Sequence, residues 1–338
     1  MRWLAVAILC AAATTARADG YRAVVDRAEL DGGRLRVYVS ALSAGGQLLD
    51  LTEPGAIHAR IDGAEVGAPY ALARFAAQPV DTEVVLVVEV APAYADALPA
   101  ITDALARDVV GALPDRARVA VVPYAATAGR GALGTLASAR QHLAELAATT
   151  GDAGDGEPAL GDAVSRALDL LAATHATRAR QLVIVAGDGR DASAQTRARI
   201  VALGDRARAA NVRVHTLAYA PDDHRRPLLA LGELSKRSLG TLRWVRGARA
   251  ESWDPATAQL ADELARQYVV TFVVGGGAAA GARLAIATTG RVAVASNTVV
   301  VSQLDAPAPD EPAHHGWLIA GGIAALAAVL AIAARRRR

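Results

Sequence analysis

The sequence predicts an α/β protein: a doubly wound, mainly parallel sheet, inserted in or flanked by a small β-sandwich, with one C-terminal transmembrane helix. Three observations lead there. From about residue 80 to 267, short apolar runs alternate with segments of helical periodicity, the rhythm of strands joined by crossover helices. Two of those runs, at 83–90 and 181–186, are apolar on both faces, as a strand must be when helices cover both sides of its sheet. On either side of this stretch the pattern turns to alternation punctuated by glycine-rich turns.

Taken in order, residues 1–18 read as a signal peptide. Arg2 gives a positive start, residues 3–13 an apolar core, and Ala16-Arg17-Ala18 a cleavage pattern of small residues. The only cysteine, Cys10, lies inside this segment behind the bulky Leu9. Cleavage after Ala18 therefore leaves neither thiol nor disulfide chemistry. Residues 19–79 are the first part of a small β domain. Leu35, Val37 and Val39 share one face there, with turns at 31–33, 45–46 and 62–63.

Residues 80–267 make the α/β domain. Its opening strand leads into a helix on which Leu98, Ile101, Leu105 and Val109 recur, ending near Gly111. A strand at 118–124 and helices at 136–147 and 160–171 follow, with a polar, glycine-rich loop at 149–158 between the helices. The series continues with strands at 181–186, 212–218 and 242–245. Helices are expected at 194–209, 227–237 and 255–267. Residues 268–303 supply the second part of the β domain, with strands at 268–274, 284–288 and 292–301. Neither β part has strands enough to cover its own apolar face, so the two are expected to join as one sandwich around the inserted α/β domain.

A proline-rich spacer spans 304–316. Residues 317–334 carry no charge; as a helix they span about 27 Å, against a bilayer core of about 30 Å. The Arg335 to Arg338 tail sets the C-terminus in the cytoplasm and the preceding domains outside, in the periplasm or on the cell surface. Lys236 is the only lysine amid abundant alanine and arginine, which points to a GC-rich bacterial genome.

Composition also narrows function. The net charge is +2, and four positive charges belong to the terminal arginines, so no basic stripe remains for nucleic acid. There is no nucleophile elbow, no P-loop and no dinucleotide fingerprint, and the histidines are scattered without metal-ligand spacing. Glu89 falls at the carboxyl end of the opening strand, where open α/β sheets form their binding crevice.

Three segments carry a resemblance: Val84-Val-Leu-Val-Val-Glu89, Gly156-Glu-Pro-Ala-Leu-Gly-Asp-Ala163 and Val183-Ile-Val-Ala-Gly-Asp-Gly189. In order and spacing they resemble the parts of the metal-ion-dependent adhesion site of the von Willebrand factor type A family. With a secretion signal, an anchor and a flanking β domain, the chain is similar to bacterial envelope members. That site takes Asp-x-Ser-x-Ser, a Thr and an Asp, because Mg²⁺ wants near-octahedral hard oxygens with a position open for a partner's carboxylate. The matching positions here are Glu89, Ala91, Ala93, Pro158 and Asp188. Two side-chain ligands survive, and all three hydroxyls are gone.

The resemblance therefore implies a degenerate site with no Mg²⁺ or Ca²⁺ cofactor. Any cation would have to rely on Glu89, Glu157 and Asp188, with Asp155 nearby. Without one, Glu89 is expected partly solvated at its strand end and Asp188 capping a turn or a helix start. The implied function is a non-enzymatic, membrane-anchored module for protein binding, adhesion or complex assembly. The alternatives are an envelope enzyme using Glu89 and Asp188 as an acid–base pair, and a purely structural envelope subunit.

Overall fold

The chain enters through antiparallel strands. β1 (Arg22–Asp31) and β2 (Arg34–Leu42) form a hairpin. β3 (Ile57–Ile61) and β4 (Ala64–Val66) close around Asp62 and Gly63. Both turn residues have positive φ, 48° and 84°, the conformation an Asp-Gly hairpin turn requires. β5 (Pro69–Arg74) ends this part. The α/β unit follows as β6 (Thr82–Glu89), α1 (Leu98–Ala104), β7 (Arg118–Tyr124), α2 (Leu136–Ala147), α3 (Leu160–Ala173) and β8 (Arg180–Gly187). It continues through α4 (Thr196–Ala209), β9 (Arg213–Ala218), α5 (Leu228–Arg237), β10 (Leu242–Trp244) and α6 (Ala250–Ala265). β11 (Tyr268–Val273), β12 (Arg283–Thr288), β13 (Val294–Ala295) and β14 (Val299–Gln303) return to β structure.

This computed structural model describes residues 22–31, 33–42, 51, 57–66, 69–75, 81–148, 156–174, 179–192, 196–222, 224–274, 281–288 and 294–303. The expected signal peptide (1–18), spacer (304–316), membrane helix (317–334) and arginine tail (335–338) lie outside the described residues. Among the described residues no helix is long and apolar enough to cross a membrane.

The five-stranded sheet runs β10-β9-β8-β6-β7, with every neighbouring pair parallel. β6 is buried along its whole length, and its alternate residues feed two separate cores. Val84, Leu86 and Val88 pack with Ile101, Leu143 and Leu260 of α1, α2 and α6. Val85 and Val87 pack with Leu168, Ile200 and Leu231 of α3, α4 and α5. Helices thus cover both faces, as the two-sided apolar runs require.

Two helices depart from expectation. The helix predicted to reach Gly111 is α-helical only through Ala104, then passes through a π turn (Leu105–Val109) and a 3-10 turn (Val110–Ala112). The wide turn carries a bond from the Val110 N–H to the Leu105 carbonyl, so Leu105, Val109 and Val110 all reach the core. α6 starts at Ala250, not at Pro255, which lies inside it. A proline tolerates a helix start best, but Trp253, fully buried among the α1 and α2 side chains, holds the earlier turn.

The two β segments interleave. β11 lies between β2 and β5, and β12 pairs with β3. β14 begins against β12 (Leu284↔Val299) and ends against β1 (Ala28↔Val301). One strand therefore passes between two layers at a corner. Leu35, Val37 and Phe272 share a core with Ile57 and Ile286. The strand predicted at 292–301 is broken at Asn297. Its side-chain amide accepts the Val25 N–H and donates to the Val25 carbonyl, both at 2.8 Å, beside the β1 bulge.

A buried ionic network fastens the β unit to the α/β unit. Arg213, which opens β9, donates to Glu263 of α6 at 2.8 Å and lies 3.2 Å from Asp26 of β1. It also donates to the Ser40 hydroxyl at 3.4 Å. The second oxygen of Glu263 accepts from Thr241 and Arg243, both at 3.0 Å. Removing this carboxylate leaves two buried guanidinium groups without it. Glu263→Ala is expected to lower the unfolding free energy by about 3–5 kcal/mol in urea titrations. A loss under about 1 kcal/mol would mean that the network is not what joins the units.

Candidate functional site

Parallel register sets the carboxyl ends of three strands level. Glu89 pairs with Tyr124, and Val88 with Ala186. Glu89, the last residue of β6, is 1% exposed, so it is not partly solvated as expected. The covering side chains come from elements distant in sequence. Its Oε2 accepts from the Tyr124 hydroxyl at 3.0 Å and from the Asp188 N–H at 2.9 Å. Gly187 keeps this space open: a Cβ there would stand 2.1 Å from the Tyr124 hydroxyl oxygen and 2.8 Å from Glu89 Oε2. Burial, then the neighbouring Asp188 carboxylate, pushes the Glu89 carboxyl up to about 8. Glu89 thus holds its proton through most of the neutral range. Tyr124 is raised well above its ordinary value, first by burial, and so remains a donor.

Asp188 follows β8 and is buried as well. Its Oδ1 accepts the Arg190 N–H at 2.8 Å, the expected turn cap, and Gly189 takes φ 86° to complete the reversal. Burial raises the Asp188 carboxyl, against the Arg190 N–H and guanidinium. The Arg190 side chain folds back, with Nε 3.3 Å from Asp188 Oδ2, and pairs through Nη2 with Asp222 after β9. Asp222 also accepts the His224 N–H at 3.1 Å.

The other expected positions do not converge on this pair as ligands. Ala91 is buried and Ala93 exposed at the 3-10 turn Pro92–Tyr94 that leaves β6. Tyr94 pins that turn: its hydroxyl donates to the Tyr219 carbonyl and its ring meets Tyr219 edge-on at 5.6 Å. Pro158 is buried, and its carbonyl oxygen already accepts the Ala192 N–H at 2.8 Å. Glu157 is exposed, and Asp155 lies outside the described residues.

A divalent ion of the Mg²⁺ or Ca²⁺ type needs several ionised or carbonyl oxygens turned toward one point. Here one carboxyl oxygen is bound by two donors, and a guanidinium stands against the other carboxylate. Among the described residues no three His, Cys, Asp or Glu side chains form a set that could hold a metal ion. The donors do not fit either cation.

Sequence reasoning missed Tyr124 and Arg190, and took Asp222, in the polar cluster 222–224 after a strand, for a solvated loop residue. Tyr124 was within reach, because aligning the two strands from their starts sets it opposite Glu89. Nothing local marks Arg190 as the residue that folds back, and Asp222 reads as an ordinary solvated loop position.

Residues 92–238 match the family model of the von Willebrand factor type A domain. No curated protein matches the chain. Similar solved structures include a von Willebrand factor type A protein from Catenulispora acidiphila, with 13% identity and a TM-score of 0.44. That similarity covers 84% of this chain and 73% of the other. The SpRpn10 VWA domain is 11% identical over 52% of this chain and 92% of its own, with a TM-score of 0.40. Proximal thread matrix protein 1 from the mussel byssus is 13% identical over 59% and 49%, with a TM-score of 0.43.

The Glu89 carboxyl has a sign that can be checked. Its value rises from 4.5 to about 8 on folding, so between those limits the folded chain binds more protons than the unfolded one. The stability it contributes is complete below pH 4.5 and is lost as pH rises toward about 8. Asp26, raised to about 6 chiefly by burial, adds to the lower part of that fall. Melting temperatures measured between about pH 6 and 8 should therefore decline in the wild type and decline much less in Glu89→Gln. A wild-type profile that climbs across this interval would contradict the assignment.

Proposed function

We propose that this chain, which carries a von Willebrand factor type A domain over residues 92–238, is a membrane-tethered extracytoplasmic module that binds a protein partner without metal and without turnover. The observation that carries this reading is the charge balance of the crevice. Arg190 lies between Asp188 and Asp222, and Glu89 is held by the Tyr124 hydroxyl and a backbone N–H. The carboxylates that a cation would neutralise are met by a guanidinium and by hydrogen-bond donors instead. Tethering rests on sequence: the leader at 1–18, the apolar segment 317–334 and the arginine tail after it. The same features support a bacterial envelope location with the C-terminus in the cytoplasm.

The raised proton affinity of Glu89 favours one other reading, an envelope enzyme working through Glu89 and Asp188, because shifted carboxyls gather at active sites. The hydroxyl that Glu89 touches belongs to Tyr124, whose burial keeps it protonated and a poor nucleophile. Binding without turnover accounts for the arrangement with fewer parts.

Adding millimolar Mg²⁺ or Ca²⁺ to the EDTA-treated chain should leave its melting temperature unchanged. A cation at a hundredfold excess over its Kd would add about 2.7 kcal/mol, a shift of several degrees. Such a shift, lost in Asp188→Ala and not reproduced by monovalent salt, would overturn metal independence. Arg190→Ala leaves Asp188 without its guanidinium and should cost about 1–3 kcal/mol in the same buffers. Partner capture should fail for the Glu89→Ala, Asp188→Ala double variant. Unchanged capture would favour the purely structural subunit, and turnover abolished by that variant would favour the enzyme.

A further inference from the structure

β10 ends the parallel sheet on one side and pairs only with β9 among the described residues. The Thr241 carbonyl and the Val245 N–H bond to β9. By strand alternation the backbone groups of Leu242 and Trp244 face outward. Edge strands are ordinarily blunted by charge, proline or a covering element. This one instead exposes Leu242 (45%) and Trp244 (42%), next to Leu229 of α5 (72%). These are three of the five large hydrophobic side chains exposed among the described residues, and they line one cleft of about 340 Å³.

Among the described residues that line this patch, cations outnumber acids. The Arg225 guanidinium lies 4.4 Å from the Trp244 ring centroid and that of Arg246 lies 5.4 Å away, which fixes a flat indole in a cationic frame. Lys236 is exposed on the same cleft. Glu233, the acid that lines it, is bonded by Arg237 at 2.6 Å.

We propose that the outer edge of β10 docks an extended, acidic segment of a protein partner, which joins the sheet as a further strand. Backbone pairing supplies the affinity, Trp244 and Leu229 receive an apolar side chain, and the partner's carboxylates meet Arg246 and Lys236. A second copy of this chain would bring the same cations face to face, so its edge is not the occupant. The site lies three strand spacings from Glu89, about 14 Å, and does not depend on the crevice reading.

The test uses the purified full-length chain and a fluorescein-labelled, acetylated peptide of alternating valine and glutamate, read by anisotropy at low salt. Saturable binding is expected, weakened roughly tenfold or more by Trp244→Ala and by Arg246→Glu. Replacing the probe's glutamates with lysine, or N-methylating its alternate amides, should abolish it. Thermal melts confirm that the variants fold. Absence of saturation, equal binding of the lysine probe, or indifference to Arg246→Glu overturns the proposal. So does a sedimenting dimer of the wild type that Leu242→Asp converts to monomer, because the edge would then serve a second copy.

Discussion

A carboxyl buried at the end of a central strand must have donors or a counter-charge, and Glu89 sets that condition for the whole upper end of the sheet. Burying it calls for the Tyr124 hydroxyl at the level the β6–β7 register provides. The Asp188 N–H must point inward, and position 187 must carry no side chain. These demands fall on β7 and on the end of β8, the two neighbours of β6, so the strand order β8-β6-β7 and the crevice are one requirement stated twice. Arg190 completes the balance from outside, where its guanidinium reaches Asp188 and Asp222. Desolvation makes every unpaired charge there costly, and the arrangement leaves the crevice electrically closed.

The opposite end of the sheet answers a different constraint. The inserted α/β unit leaves the β unit after β5 and returns at β11, and β11 pairs on both sides with strands from the first β segment. The two passages are thereby held close, and the starts of the parallel strands face β1 and β2. Arg213, Asp26, Ser40 and Glu263 meet in that junction. Arg180 reinforces it, with its guanidinium over the Phe75 ring at 4.1 Å and a bond to the Leu264 carbonyl at 2.9 Å. Charges this deeply buried fix geometry more than they add stability. Here they join the two units at the end of the sheet opposite the crevice.

Among the described residues, the sheet edge at β10 is a surface that remains open. At the crevice, side chains of the same chain satisfy one another; at β10, backbone groups and an arginine-framed tryptophan are left facing solvent. A parallel sheet with helices on both faces has only its edges to offer, and β7 lies at the other end of the order, beside β6. The proposed partner segment would extend the ladder there, at β10.

The sequence by itself determined the alternation of strands and helices. Two-sided apolar runs and helical spacing follow from burial on both faces, and each element from β6 to β11 lies where its pattern falls, apart from the end of α1 and the start of α6. It also determined which oxygens are missing, since an alanine at 91 or 93 supplies no hydroxyl in any fold. What it left open depends on contacts between distant segments. The π turn after Ala104 and the early start of α6 were settled by core packing around Leu105 and Trp253. The break at Asn297 was settled by a bulge far back along the chain, in β1. Glu89 reads as half-solvated in sequence because nothing local covers it. Only the tertiary structure, bringing Tyr124, Gly187 and the Asp188 N–H onto it, decided that it is buried and that its proton affinity rises. Arg190 and Asp222 became part of the site for the same reason: a long side chain's direction is fixed by the charge it finds across space, and local sequence does not encode that.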